Sequence, residues 1–201
     1  MMGIYKSKLF VYIEKLVDFL LLSVIWAIAC IPVITIFPST AAMFGVVRGW
    51  QLENKEDGVF RPFFKLFKEN FRQGVGLSIV WTIIGISLYG NVQLIEPSAS
   101  MIQTILFVLT VFVAFLYGLL TMYLFPMMAH VQTTWYFLIR NALLLLIANP
   151  LYTILLSIVT LGTGYFLLMN PAGLFFITSF FAYFVCFIFL KAFNTLNVYE
   201  S

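Results

Sequence analysis

Charge is scarce in this sequence: Asp, Glu, Lys and Arg make up 9% of its 201 residues, where a soluble domain carries about 25%. There is too little polar surface to face water on every side, which excludes an ordinary soluble enzyme. Cysteine is rarer still, with two residues. Cys30 and Cys186 both lie in apolar runs, where the residue behaves as a small hydrophobe, so no disulfide framework is expected. A single histidine, His130, argues against a histidine-based metal site. The long apolar stretches contain no acid, no paired carboxylates and no Ser/His arrangement, and no glycine-rich phosphate loop is present. The chain is therefore not expected to be an enzyme, to hold a cofactor or to bind nucleic acid. A proton-driven carrier would need a buried carboxylate or histidine, and that reading is poorly supported too.

What is abundant is hydrophobic: 63% of residues are apolar and 18% aromatic, with a mean hydropathy of +1.04. A helix needs about 20 mostly apolar residues to span a bilayer. Residues 74–92, 101–125, 142–166 and 172–190 meet that length, separated by Glu96-Pro97-Ser98, by a link from Pro126 to Asn141 with a helix near the interface, and by Asn170-Pro171. The N-terminal part, 16–50, is interrupted by Pro32 and Pro38 and reads as a Pro-broken helical hairpin. Its second arm, Ser39–Trp50, reaches only roughly 18 Å at 1.5 Å per residue, so two spans, a re-entrant hairpin, or a span plus an interfacial helix all remain open. Ser39 or Thr40 is the natural cap of that arm after Pro38, which makes Pro38-Ser39-Thr40 a structural turn. The expected fold is all-α: one transmembrane bundle over 1–201, with four clear spans plus the hairpin, five or six membrane segments in all.

Lys6, Lys8 and Lys15 before an apolar run resemble a signal peptide, and Ala27-Ile28-Ala29-Cys30 resembles a lipoprotein cleavage box. The apolar run continues past Cys30 and Ala27 replaces the usual leucine, so the segment is retained. Basic residues orient membrane proteins, because they stay on the cytoplasmic side. Arg48, Lys55, Arg61, Lys65, Lys68 and Arg72 crowd one linker, while the links at Glu96 and Asn170 have none. The linker 51–73 and the C-terminus are therefore expected in the cytoplasm, in a multi-pass protein of a bacterial plasma membrane. If 16–50 enters and returns, the N-terminus joins them and all 11 basic residues share one side.

The stretch FRPFFKLFKENFRQ, 60–73, carries the sharpest pattern. Arg61, Lys65, Lys68 and Arg72 fall at i, i+4, i+7 and i+11, one stripe of a helix, and Phe60, Phe64, Phe67 and Phe71 repeat that spacing one residue earlier. Such a helix suits the membrane interface, with rings in the acyl boundary and cations towards phosphates. It is either a positive-inside anchor or a cytoplasmic docking surface for a partner subunit. His130 and Arg140 are ten positions apart near the same side and read as headgroup-level residues. Asn149-Pro150 should kink the span 142–166. Gly74, Gly76, Ser78, Thr82 and Gly85, and again Gly162 and Gly164, form small faces that admit a close helix. Phe37-Pro38 through Ala42 is echoed by Phe125-Pro126 through His130.

From Trp26 to Phe71 the chain resembles the YesL-like family of bacterial membrane proteins. The residues that carry the likeness are Pro32, Thr35, Pro38, Ser39, Thr40, Ala41 and Ala42, then Phe63, Phe64, Phe67, Asn70 and Phe71. Phe37 departs from the pattern, which has glycine there. The resemblance implies an association with carbohydrate import, since genes of that family often stand beside those of sugar ABC importers, and it supplies no catalytic or binding residues. Together these readings favour a non-catalytic accessory subunit beside the permease subunits of an oligosaccharide ABC importer. The bilayer contributes the other contacts, and Arg61, Phe64, Lys65, Phe67, Lys68, Phe71 and Arg72 form the partner or lipid surface. An independent small-molecule carrier or channel, and a membrane sensor or assembly factor, are the alternatives.

Overall fold

A computed structural model describes residues 8–52, 58–98, 100–130 and 134–199. Lys6 and Lys55, which bear on the charge argument, lie outside them. Every regular element among the described residues is helical: α1 (Lys8–Ala29), a 3-10 turn (Val33–Thr35), α2 (Ile36–Leu52), α3 (Phe60–Leu94), α4 (Met101–His130), α5 (Trp135–Ala148), α6 (Pro150–Met169), a second 3-10 turn (Pro171–Gly173) and α7 (Leu174–Tyr199). Five stretches are long and apolar enough to cross a membrane: Val33–Leu52, Phe60–Leu94, Met101–His130, Pro150–Met169 and Pro171–Thr195. Large apolar side chains on their outer faces, such as Ile86, Phe115 and Leu161, stand 66%, 62% and 71% exposed. Apolar surface of that kind is costly in water and is at home in lipid.

The centre of the bundle is α2, which packs against α1, α3, α4 and α7. Phe37 through Phe44 are buried without interruption, so the helix is covered on all sides rather than along one stripe. Its small residues allow this. Leu66 of α3 comes so close that a Cβ at Gly45 would lie 2.8 Å from its Cδ1. The two helices run antiparallel, for Pro38 meets Gly74 as Gly45 meets Leu66. Beyond that level α3 pairs with α4, where Trp81 Nε1 donates to Thr121 Oγ1 at 2.9 Å and Tyr117 Oη to the Trp81 carbonyl at 3.0 Å. Helix α1 folds back along α2, with Trp26 Nε1 donating to Thr40 Oγ1 at 3.1 Å and the Phe19 ring 4.9 Å from that of Trp50.

Several boundaries differ from the sequence-based expectation. Helix α2 begins at Ile36, so Pro38, Ser39 and Thr40 lie inside its first turns and are not a turn that caps it. Proline is tolerated there because first-turn N–H groups have no helical acceptor. The hydroxyls serve the preceding helix instead: Thr35 Oγ1 and Ser39 Oγ donate to the Ala29 carbonyl at 2.6 and 3.1 Å, closing the C-terminus of α1. The segment 60–73 and the span 74–92 are one helix of 35 residues, roughly 52 Å long at 1.5 Å per residue, so the Phe/basic segment is the extension of a span and not a separate helix lying in the interface. Helix α4 runs through Pro126 to His130, five residues past the expected end. The segment 142–166 is broken and not merely kinked: α5 stops at Ala148, Asn149 adopts φ −127 and ψ 67, and Pro150 opens α6.

Candidate functional site at the basic end of the bundle

The first four turns of α3 sort their side chains by face. Phe63, Asn70 and Gly74 are buried towards α2, and Asn70 Nδ2 donates to the Leu66 carbonyl at 2.9 Å, keeping its amide satisfied within the helix. Arg61, Lys65, Lys68 and Arg72 are all exposed, Arg61 and Lys65 on the flank that borders α2. The aromatic residues form a ladder between the two, with ring centroids 4.7 Å apart for Phe60–Phe64, 6.2 Å for Phe63–Phe67 and 5.5 Å for Phe67–Phe71. The stripe is less uniform than its spacing implies. Phe60, Phe64 and Phe71 are open, but Phe67 is half-buried on the core. Phe63, outside the expected stripe, is the ring that anchors the helix, with no exposed surface at all.

Between the C-terminal half of α2 and the start of α3 lies a groove of about 620 Å³. Arg48, Arg61, Lys65 and Glu69 give it charge, Trp50, Pro62 and Leu66 give it apolar wall, and Gly49 and Gly58 leave room. Gly58 has φ 68, a left-handed conformation that costs glycine little and lets the chain turn into α3.

A second polar group sits where α2, α4 and α7 meet. Arg48 Nη1 donates to the Ala129 carbonyl at 3.4 Å, and Gln51 Nε2, one turn on, donates to the Tyr183 carbonyl at 2.8 Å. The His130 ring lies edge-on to Phe193 at 4.4 Å. Arg48 Nε, Gln51 Oε1 and His130 Nδ1 are buried without a hydrogen-bond partner among the described residues. Buried polar atoms ordinarily find partners, so three orphans at one junction mark it as a polar point inside an apolar bundle. Asn149 bridges nearby helices, its Nδ2 donating to the Ala192 carbonyl at 3.3 Å. His130 and Arg140 do not form a pair, since Arg140 is exposed on α5 while His130 turns to the rings of α7.

Charge placement along the sequence presents Arg48 only as a topogenic residue. The further signal is local: a cation that closes an apolar helix, three residues after Gly45 and three before Gln51, is a candidate functional group by default. The small faces are also resolved. On α3 they are filled from within, Gly74 by Pro38, Gly76 by Trp135 and Gly85 by Tyr117, whereas at Gly162 and Gly164 of α6 no heavy atom lies within 4 Å of the position a Cβ would take. Among the described residues no group of three or more His, Cys, Asp or Glu side chains is placed to hold a metal ion, and Cys30 and Cys186 are free thiols.

Comparison with known proteins bears out the resemblance drawn from Pro32–Phe71. Residues 19–92 match the family described as a protein of unknown function, DUF624. That segment runs from α1 to nearly the end of α3 and so contains the buried α2, the basic face and the groove. Three proteins of Bacillus subtilis (strain 168) are similar. The uncharacterized protein YteU is 29% identical over 136 residues, covering 68% of this chain and 61% of its own length. The uncharacterized protein YesL is 25% identical over 161 residues, 79% of this chain and 76% of its own. The uncharacterized protein YesV is 28% identical over 139 residues, 68% of this chain and 65% of its own. The chain thus spans less than two thirds of YteU and YesV. No solved structure is a significant match.

Proposed function

We propose that this chain, which carries the DUF624 family segment over residues 19–92, is a non-catalytic subunit of a bacterial plasma membrane that docks on the permease subunits of a carbohydrate ABC importer. The observation that carries the reading is the outer face of α3. Arg61, Lys65, Lys68 and Arg72 are exposed on one side of a helix whose other side is locked to the core by Phe63. A rigid, preordered cationic edge suits an acidic cytoplasmic loop of another protein, because little side-chain or backbone order must be lost on contact. The exposed rings of Phe60, Phe64 and Phe71 supply apolar area beside it. The open Gly162 and Gly164 of α6 admit a second contact, helix to helix, within the bilayer. The choice of an importer rests on the YesL-like resemblance and its genomic company. In this reading the basic ends of α2 and α3 and the C-terminus face the cytoplasm.

The test changes Lys68 and Arg72, which lie outside the α2–α3 groove. Lys68→Glu/Arg72→Glu should reduce both co-purification of the permease in mild detergent and oligosaccharide uptake, at normal membrane abundance. Undiminished co-purification and uptake would leave the basic face as a topological anchor alone.

A further inference from the structure

We infer that the groove between α2 and α3 is a binding site for a phosphate group, and that the group is the headgroup phosphate of an anionic phospholipid. Among the described lining residues the charge is net positive: Arg61 and Lys65 stand one turn apart on α3, Arg48 stands on the α2 side, and Glu69 is the single acid. Arg61 and Lys65 are separated by one turn, a rise of about 6 Å, so their donors can take different oxygens of one phosphate. The volume, about 620 Å³, is of the size that holds a small molecule or a headgroup. Gly49 opens it further, with nothing within 4 Å of the position its Cβ would take.

The surroundings decide for a lipid over a soluble phosphate. Leu52 and Phe60, on either side of the connection between α2 and α3, are 50% and 60% exposed. Both helices that wall the groove belong to stretches apolar enough to cross a membrane. A headgroup can reach the cations while its acyl chains remain against apolar surface, whereas a free anion leaves that surface unused. Glycine walls also let the backbone of α2 approach a bulky, hydrated group that side chains would exclude. Arg61 and Lys65 are shared with the docking face, but Lys68 and Arg72 lie outside the groove, so changing one pair or the other separates the two roles.

The experiment uses the full-length protein in mixed micelles of phosphatidylcholine with a small share of phosphatidylglycerol, and counts retained lipid by native mass spectrometry. One phosphatidylglycerol should persist per chain, in preference to phosphatidylcholine. Arg61→Gln/Lys65→Gln should weaken its retention about tenfold or more, as the loss of two cations beside an anionic group implies. Gly49→Leu should weaken it comparably by filling the groove while leaving every charge in place, and its Cβ meets no neighbouring atom. Lys68→Gln/Arg72→Gln should leave retention unchanged. Equal losses for the two charge pairs, or full retention in Gly49→Leu, would overturn the site. Glycerol 1-phosphate added to phosphatidylcholine micelles should not be retained, and if it occupies the protein as tightly, the lipid assignment falls.

Discussion

The ring of Phe37 lies 4.9 Å from that of Phe125, tilted by 55°, so the two Phe-Pro steps of the chain meet inside the bundle. Phe37 opens α2 and Phe125 stands near the end of α4. Each is followed by a proline that is buried, in the first turn of one helix and within the other. The missing proline N–H lets a neighbouring backbone come close, and Gly74 does so at Pro38. A double-mutant cycle with Phe37→Leu and Phe125→Leu, read as stability in detergent, should give a coupling of about 0.5–1.5 kcal/mol. Strict additivity would mean that the two rings are neighbours without interacting.

The hydroxyl of Ser39 gives a prediction opposite to that of a helix N-cap. A cap tolerates aspartate, because it must accept hydrogen bonds. Here Ser39 is fully buried and donates to the Ala29 carbonyl. Ser39→Ala should cost about 1 kcal/mol, and Ser39→Asp more, since a carboxylate would face a carbonyl oxygen without water. Thermal melts in detergent that rank aspartate above alanine would restore the capping role.

Composition makes the class of this protein plain, because only a bilayer accommodates so little charge, and the breaks at Pro32, Asn149 and Asn170 are visible as helix punctuation. The continuity of α3 is not. Gln73-Gly74 looks like a seam in sequence, yet the glycine is there to let Pro38 approach, which depends on a residue 36 positions away. The candidate site divides in the same way. The basic face of α3 follows from a periodicity internal to one helix. The groove needs α2 laid against it, and no pattern within either helix announces that pairing. The setting of Arg48 is hidden for the same reason: its acceptor Ala129 comes from α4, and Tyr183, the acceptor of neighbouring Gln51, from α7.

Glycines that look alike in sequence should respond differently to a methyl group. At Gly74 a Cβ would lie 2.8 Å from the Pro38 backbone nitrogen, and backbone cannot swing aside, so Gly74→Ala should destabilise by about 1–3 kcal/mol. At Gly162 a Cβ meets nothing within 4 Å, and alanine there should be neutral or stabilising by up to about 1 kcal/mol. Melting temperatures of the two variants side by side decide the matter. Equal effects would contradict the close packing of α2 on α3.

Orientation is open to direct chemistry. With Cys30 and Cys186 replaced by alanine, a cysteine at Ser98, between α3 and α4, should react with an impermeant maleimide added to intact cells. One at Thr134, exposed ahead of α5, should react only after the cells are opened. The reverse pattern would turn the whole bundle over and move the basic face of α3 outside, where the docking proposal has no place for it.

Arg48 separates stability from function. It brings a formal charge into the central helix, and its one hydrogen bond, to the Ala129 carbonyl, is long at 3.4 Å. Arg48 is half-buried, and exchanging a cation with so long a hydrogen bond for an apolar side chain of similar length should change stability by less than about 1 kcal/mol. Arg48→Met should therefore leave the melting temperature nearly unchanged, while lipid retention falls because the groove has lost a cation. Arg48→Lys keeps the charge but loses the planar fork and should rank between the two in lipid retention. A variant Arg48→Met that melts early, by more than about 1 kcal/mol, would show that the Ala129 contact braces α2 against α4. In that case the cation is retained for the fold, and the orphaned atoms of Gln51 and His130 beside it are best read as the seat of an ordered water rather than as part of a binding site.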